Sequence, residues 1–276
     1  MLGELMPGGL VLLVAVAAGL MGAMTSTGGG LILIPALTLC GVDIKRAIAV
    51  SALSMIVVSN TAASQYVRRH LPNLKLGAYL EAFAVTGSLV GAWMTVTVGR
   101  RLLFFLCGGI LLLSGLMLWH RRKRPWQAVT SQDAASRWLG LAGSYYDTTE
   151  RRTIAYRGRR AVLGGLLMFG AAAGVGSSAM TVLIHDAVIG LPHKVSVTTS
   201  NLIIGVMALA GVSVYLEAGL IDLRLAVPVI LGALAGSRLG SQLLVDAPNR
   251  VARMVFLTAL VALGIQLLIR GYLGAT

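Results

Sequence analysis

The chain has 276 residues, 57% of them hydrophobic and only 12% charged, with 34 glycines and a formal net charge of +13. An average soluble domain is about 25% charged. This chain cannot cover a water-facing surface, so a soluble enzyme is excluded, as are a disordered chain and a collagen. Its two cysteines, Cys40 and Cys107, both lie in apolar stretches and exclude a disulfide scaffold. The basic residues cluster between long apolar runs, which is the loop pattern of a membrane protein and excludes nucleic acid as a partner.

A bilayer core takes roughly 20 mostly apolar residues per helix. Four such segments precede residue 121, near 8–25, 47–67, 76–98 and 101–120. Four more follow residue 160, near 161–175, 195–216, 223–245 and 251–270. The sequence therefore predicts an all-α polytopic membrane protein of about eight transmembrane helices, with the lipid bilayer as its first partner. The first segment carries Glu4 and no basic residue, and reads as a retained helix. Two shorter apolar pieces, Leu31–Cys40 and Met180–Ile189, are too short to span and read as half-helices.

Residues 121–160 are different in kind, holding ten of the 23 lysines and arginines. So basic a linker is expected on the cytoplasmic side of a bacterial inner membrane. With four crossings on either side of it, both termini are expected to be cytoplasmic too.

A repeat runs through the chain at an offset of 149. Gly41 matches Gly190, Ser51 matches Ser200, Tyr66 matches Tyr215, and Gly87-Ser88-Leu89-Val90-Gly91 matches Gly236-Ser237-Arg238-Leu239-Gly240. The expected organisation is a first transmembrane repeat at 1–120, a linker at 121–160 and a second repeat at 161–276. Duplicated bundles commonly hold their substrate where the halves meet.

The first helix of each half ends in a break rich in glycine and hydroxyls. In the first half this is Thr25-Ser26-Thr27-Gly28-Gly29-Gly30; in the second it includes Gly176, Ser177 and Ser178. Irregular backbone at membrane depth belongs where it is buried in protein or lines a cavity. The half-helix that follows would aim its unpaired N–H groups and positive dipole end into the break, a setting that suits an anion. Close packing of small residues is the competing explanation. Further hydroxyls open the next helix of each half, at Ser51 and at Thr198-Thr199-Ser200-Asn201. Arg238 lies within an apolar segment and is expected to face the interior, since a charge in a bilayer helix costs about 2.5–3.5 kcal/mol. His185 and Asp186 could carry protons for a coupled transporter or cap a short helix. The faces Gly87-x-x-x-Gly91 and Gly236-x-x-x-Gly240 read as packing surfaces, and such faces serve a homo-oligomer equally well.

The chain resembles the TauE/SafE-type sulfite and organosulfonate exporters over nearly its whole length. The resemblance rests on Gly28-Gly29-Gly30 followed by Leu31 and Pro35, and on the helix starts Ala47–Ser51 and Ser196–Ser200. It rests also on Tyr215–Asp222, on the helix at 236–240 and on the basic stretch Arg151–Arg157. The second break departs from the family's Gly-Gly-Gly, and His70 stands where Gly219 keeps a glycine. The resemblance implies a secondary transporter, most simply an exporter, of sulfite, thiosulfate or an organosulfonate, needing no cofactor. The alternatives are a membrane-embedded serine hydrolase using Ser177 or Ser178 with His185, and a scaffold or channel. The sequence has neither a Gly-x-x-x-x-Gly-Lys loop nor a Cys/His cluster with metal spacing.

Overall fold

A computed structural model describes residues 8–121, 132–147, 152–173, 178–246 and 249–273. The helices are α1 (Gly8–Thr25), α2 (Gly30–Leu39), α3 (Ile44–Arg68), α4 (Leu74–Thr97), α5 (Arg100–Arg121), α6 (Ala134–Trp138), α7 (Ala161–Ala173), α8 (Ser178–Ile184), α9 (His193–Glu217), α10 (Leu223–Asp246) and α11 (Asn249–Leu273). A π turn, His185–Ile189, continues α8. The chain is an all-helical polytopic membrane protein. Among the described residues, five helices are long and apolar enough to cross a bilayer: α1, α3, α4, α9 and α10. Large apolar side chains such as Leu13, Leu116, Leu166, Leu209 and Leu231 are exposed on the outside, as lipid contact requires.

Local signals set the helix ends. Asp43 caps α3 by accepting from Lys45 N at 3.0 Å, and Asn73 caps α4 by accepting from Leu76 N at 3.1 Å. The 149-residue offset reappears in the boundaries, because α3, α4 and α5 begin 149 positions before α9, α10 and α11. It reappears in the turns as well. Gly41 and Gly190 both have φ 83°, and α3 and α9 end in the same left-handed turn at His70 and Gly219. In each turn the following N–H reaches back to the matching tyrosine, Leu71 N to Tyr66 O and Leu220 N to Tyr215 O.

The matching helices α3 and α9 pack against each other and run antiparallel. The start of α9 meets the end of α3, where Asn73 N donates to Thr199 Oγ1 at 3.0 Å, and its end meets the start of α3, where Tyr215 packs with Ile44 and Ile48. Around this pair the first helix of each half crosses over. α1 lies parallel to α10, so close that a Cβ at Gly236 would collide with Val16 O; α7 lies parallel to α4, where a Cβ at Gly87 would collide with Phe169 O. The two GxxxG faces are therefore helix-packing surfaces between halves.

One expectation is corrected here. α1 and α2 form a hairpin, with Leu33 and Leu37 folded back onto Val11, Ala15 and Ala18. From that hairpin to the linker the chain traverses the bundle three times, through α3, α4 and α5, because α2 undoes the passage made by α1. Gly8 and Leu273 thus sit at the opposite end of the bundle from the linker, which does not fit the expected placing of both ends of the chain on the linker's side. Charge counting missed this because a chain that turns back inside the bundle makes no net crossing. The linker carries structure of its own: β1 (Ala142–Asp147) and β2 (Arg152–Arg157) form an antiparallel hairpin. It seats on the bundle through Arg159 N, which donates to Ile189 O, and through Tyr156 Oη, which accepts from Asn73 Nδ2 at 3.3 Å.

Candidate functional site

The first break is a tight reversal. Ser26 (φ 57°), Gly28 (φ 62°) and Gly29 (φ 77°) all adopt left-handed backbone, and Thr27 N donates back to Gly22 O. At Gly29 a side chain would be both strained and placed 2.9 Å from Ala18 O. Thr25 Oγ1 donates to Met21 O and lies 3.1 Å from Thr27 Oγ1. Ser54 Oγ on α3 donates to Gly28 O at 3.2 Å and holds the break against the middle of α3. The reversal leaves Gly30 at the first turn of α2, where Ile32 N and Leu33 N both donate to Gly29 O while the N–H groups of Gly30 and Leu31 have no carbonyl within the helix to donate to.

Gly30 opens onto a crevice of about 470 Å³, the open solvent at its mouth included. Ser51 and Met55 of α3 line it, with Ser88 and Gly91 of α4, Ala172 of α7, and Met207, Gly211 and Tyr215 of α9. Both halves contribute to these walls. Ser51 is buried and donates to Ile48 O at 2.8 Å, which leaves its lone pairs and the rotation of its hydroxyl available. A Cβ on Gly30 would stand 3.7 Å from Ser51 Oγ, so the helix start and the hydroxyl face one space. Among the described residues, no charged side chain lines the crevice.

The remaining sequence candidates separate into groups. Ser26 is fully buried and its Oγ has no hydrogen-bond partner. Thr198 bonds back to Lys194 O within its own helix, and Thr199 accepts from Asn73 N. Asn201 reaches across the interface, donating to Ala23 O at 3.4 Å while its Oδ1 stays unpartnered. Ser200 pairs with His185, whose Nδ1 is 2.7 Å away. Gly176 and Ser177 lie outside the described residues, and Ser178 opens α8. Arg238 is corrected: it does not face the interior but is exposed on the outer side of α10, beside exposed Leu234 and Leu239. It lies eight residues, about 12 Å, from the end of α10 at Asp246, close enough to the linker end for its long stem to reach toward the headgroups.

Ser88, Met55, Gly211 and Tyr215 join the crevice without having been singled out as site residues. Ser88 sits inside the first GxxxG face and donates to Met207 O at 2.7 Å, tying α4 to α9. A hydroxyl inside a small-residue packing face was the available signal.

Residues 11–267 match the sequence model of the sulfite exporter TauE/SafE family. The chain belongs to that family. It is 27% identical over 261 residues to the probable membrane transporter protein YdhB of Bacillus subtilis (strain 168), covering 92% of this chain and 97% of that protein. It is 22% identical over 280 residues to the probable membrane transporter protein YunE of the same organism, covering 95% and 97%. No solved structure matches it. As a TauE/SafE family member with transporter relatives, the chain is a membrane transporter.

Proposed function

We propose that this transporter carries a small sulfur-containing anion, such as sulfite, thiosulfate or an organosulfonate, by alternating access between its two inverted halves. One observation carries the reading: the N-terminal turn of α2 at Gly30 and the Ser51 hydroxyl border a single crevice walled by both halves. Amide and hydroxyl donors there would replace the water around an oxyanion, and the dipole of α2 would favour its charge. With no cation among the described residues that line the crevice, a singly charged species such as hydrogen sulfite or a sulfonate is the best match. Export is the direction the family name supports.

The orientation follows from the charges. At the linker end stand Arg68, Arg69, Lys75, Arg137, Arg157, Arg159, Arg160 and Lys194; at the other end are Lys45, Arg46, Arg100, Arg101, Arg224 and Arg270. The linker segment adds the densest basic run in the sequence. We place that end in the bacterial cytoplasm.

The test is thermal stability of the purified protein with sulfite, isethionate, phosphate or chloride. A ligand at 100 times its Kd adds about 2.7 kcal/mol of stability. Stabilisation by sulfite or isethionate but not by phosphate or chloride, lost in Gly30→Val, is expected. Equal response to all four anions, or an undiminished response in Gly30→Val, would overturn the site.

A further inference from the structure

Away from the crevice, the second short helix holds ionisable and hydroxyl groups that anion binding at Gly30 does not use. α8 passes into the π turn at His185–Ile189, an irregularity frequent at functional sites. His185 is fully buried. Its Nδ1 lies 2.7 Å from Ser200 Oγ and 3.3 Å from Ser196 O. A carbonyl only accepts, so we assign the hydrogen to Nδ1 and the lone pair to Nε2, which is buried with no partner.

Asp186 follows in the same turn. Its Oδ2 lies 3.0 Å from His193 Nδ1, while Oδ1 is buried and unpartnered. Ser196 touches both residues: its carbonyl meets His185 Nδ1, and its hydroxyl stands beside the Asp186 carboxylate without completing a bond in this state. His193 is one-third exposed (33%) at the linker end. From water inward the order is His193, Asp186, Ser196, His185 and finally Ser200, the counterpart of Ser51.

Few other charges stand nearby. α7 has no ionisable residue, and α9 brings Lys194 beside His193. The linker brings Arg159, whose N–H donates to Ile189 O. In the first half, Ala36 and Leu37 occupy the places of His185 and Asp186, so the arrangement occurs once.

We infer that His193, Asp186 and Ser196 form a proton path from the linker face to His185, and that His185 Nε2 carries one proton with each transported anion. The inference rests on the anion-transport reading above. A proton taken up by His193 moves to Asp186 Oδ2, leaving His193 neutral and the carboxyl protonated. The Ser196 hydroxyl beside the carboxyl then accepts that proton and, on swinging across, gives up its own hydrogen to His185 Nε2, which restores the carboxylate, leaves the serine neutral and forms an imidazolium. That positive charge offsets the negative charge of a bound monoanion, so the loaded protein moves with no net cargo charge.

The full chain in liposomes tests this with radiolabelled isethionate, which does not titrate near neutral pH. A pH gradient should accelerate net isethionate flux at least tenfold in the wild type. His185→Gln should lose that acceleration yet keep isethionate counterflow within twofold. Gradient-driven flux that persists in His185→Gln, or wild-type flux indifferent to the gradient, would overturn the coupling. If isethionate does not move at all, the transport reading is what fails, and a second measurement still decides the path. In protein with ¹⁵N-labelled histidine, the His185 ring proton should exchange with water at least tenfold more slowly in Asp186→Asn and His193→Gln than in the wild type. Unchanged exchange in both variants would overturn the path.

Discussion

Ser54 and Gly28 are joined across 26 residues by a hydrogen bond of 3.2 Å, in which the α3 hydroxyl donates to the carbonyl at the reversal. The same hydroxyl lies 2.9 Å from Ser51 O. Ser54 therefore fixes the break relative to the residue that faces Gly30. Ser54→Ala should cost about 1 kcal/mol of stability and lower anion flux several-fold, while Ser54→Thr retains a hydroxyl and most of the flux. Thermal unfolding and flux measured on the same preparations check this.

The backbone at Gly29 makes a sharper demand. Its φ of 77° costs a residue with a side chain about 1–2 kcal/mol, and the added Cβ would meet Ala18 O at 2.9 Å. Gly29→Val should leave a folded protein of lower melting temperature that no longer carries the anion. Wild-type flux in a well-expressed Gly29→Val protein would remove the break from the site.

Helix packing should respond differently from the site. At Gly236 any side chain collides with Val16 O, whereas nothing lies within 4 Å of a Cβ at Gly99. Gly236→Leu should destabilise by about 3 kcal/mol or more, and Gly99→Ala should change the melting temperature little. Detergent stability assays on the two variants separate these outcomes.

The linker supplies a pH dependence of its own. The Ser136 hydroxyl, with the N–H groups of Arg160 and Ser136, holds the Asp133 carboxyl below its usual range. A depressed carboxyl stabilises the folded form above the ordinary value of about 3.9. That stabilisation is lost as pH falls through the lower folded value. Amide exchange at residues 133–139, taken as the ratio of wild type to Asp133→Ala, should show protection near pH 6 that declines toward pH 3. A flat ratio would mean that Asp133 does not hold α6.

Much of this was legible in the sequence, and the physics explains which parts. Apolar runs and a fixed offset located the long helices, since hydrophobic length is what a bilayer selects. Gly28, Gly29 and Ser51 stood out because glycine and hydroxyls are costly in a membrane unless something uses them. Tyr215 and Ser88 did not, because an apolar ring and a small residue in a GxxxG face look like packing until two helices meet. The His185–Ser200 pair was invisible for a similar reason, since only a chain reversal brings residues 15 apart into contact. Arg238 was assigned inward on energetic grounds that overlooked how near it lies to the end of its helix.

The exchange of first helices between halves reaches back to how such a chain could arise. α1 rests chiefly on α10 and α7 chiefly on α4, so either half alone would leave the main packing face of its leading helix uncovered. A single ancestral copy could have buried that surface only by pairing head to tail with a second copy inserted upside down in the same membrane. Such a gene would have needed a charge balance that let its product insert both ways. Once two copies were fused, each could acquire its own charges, and the strongly basic segment between them locked one orientation.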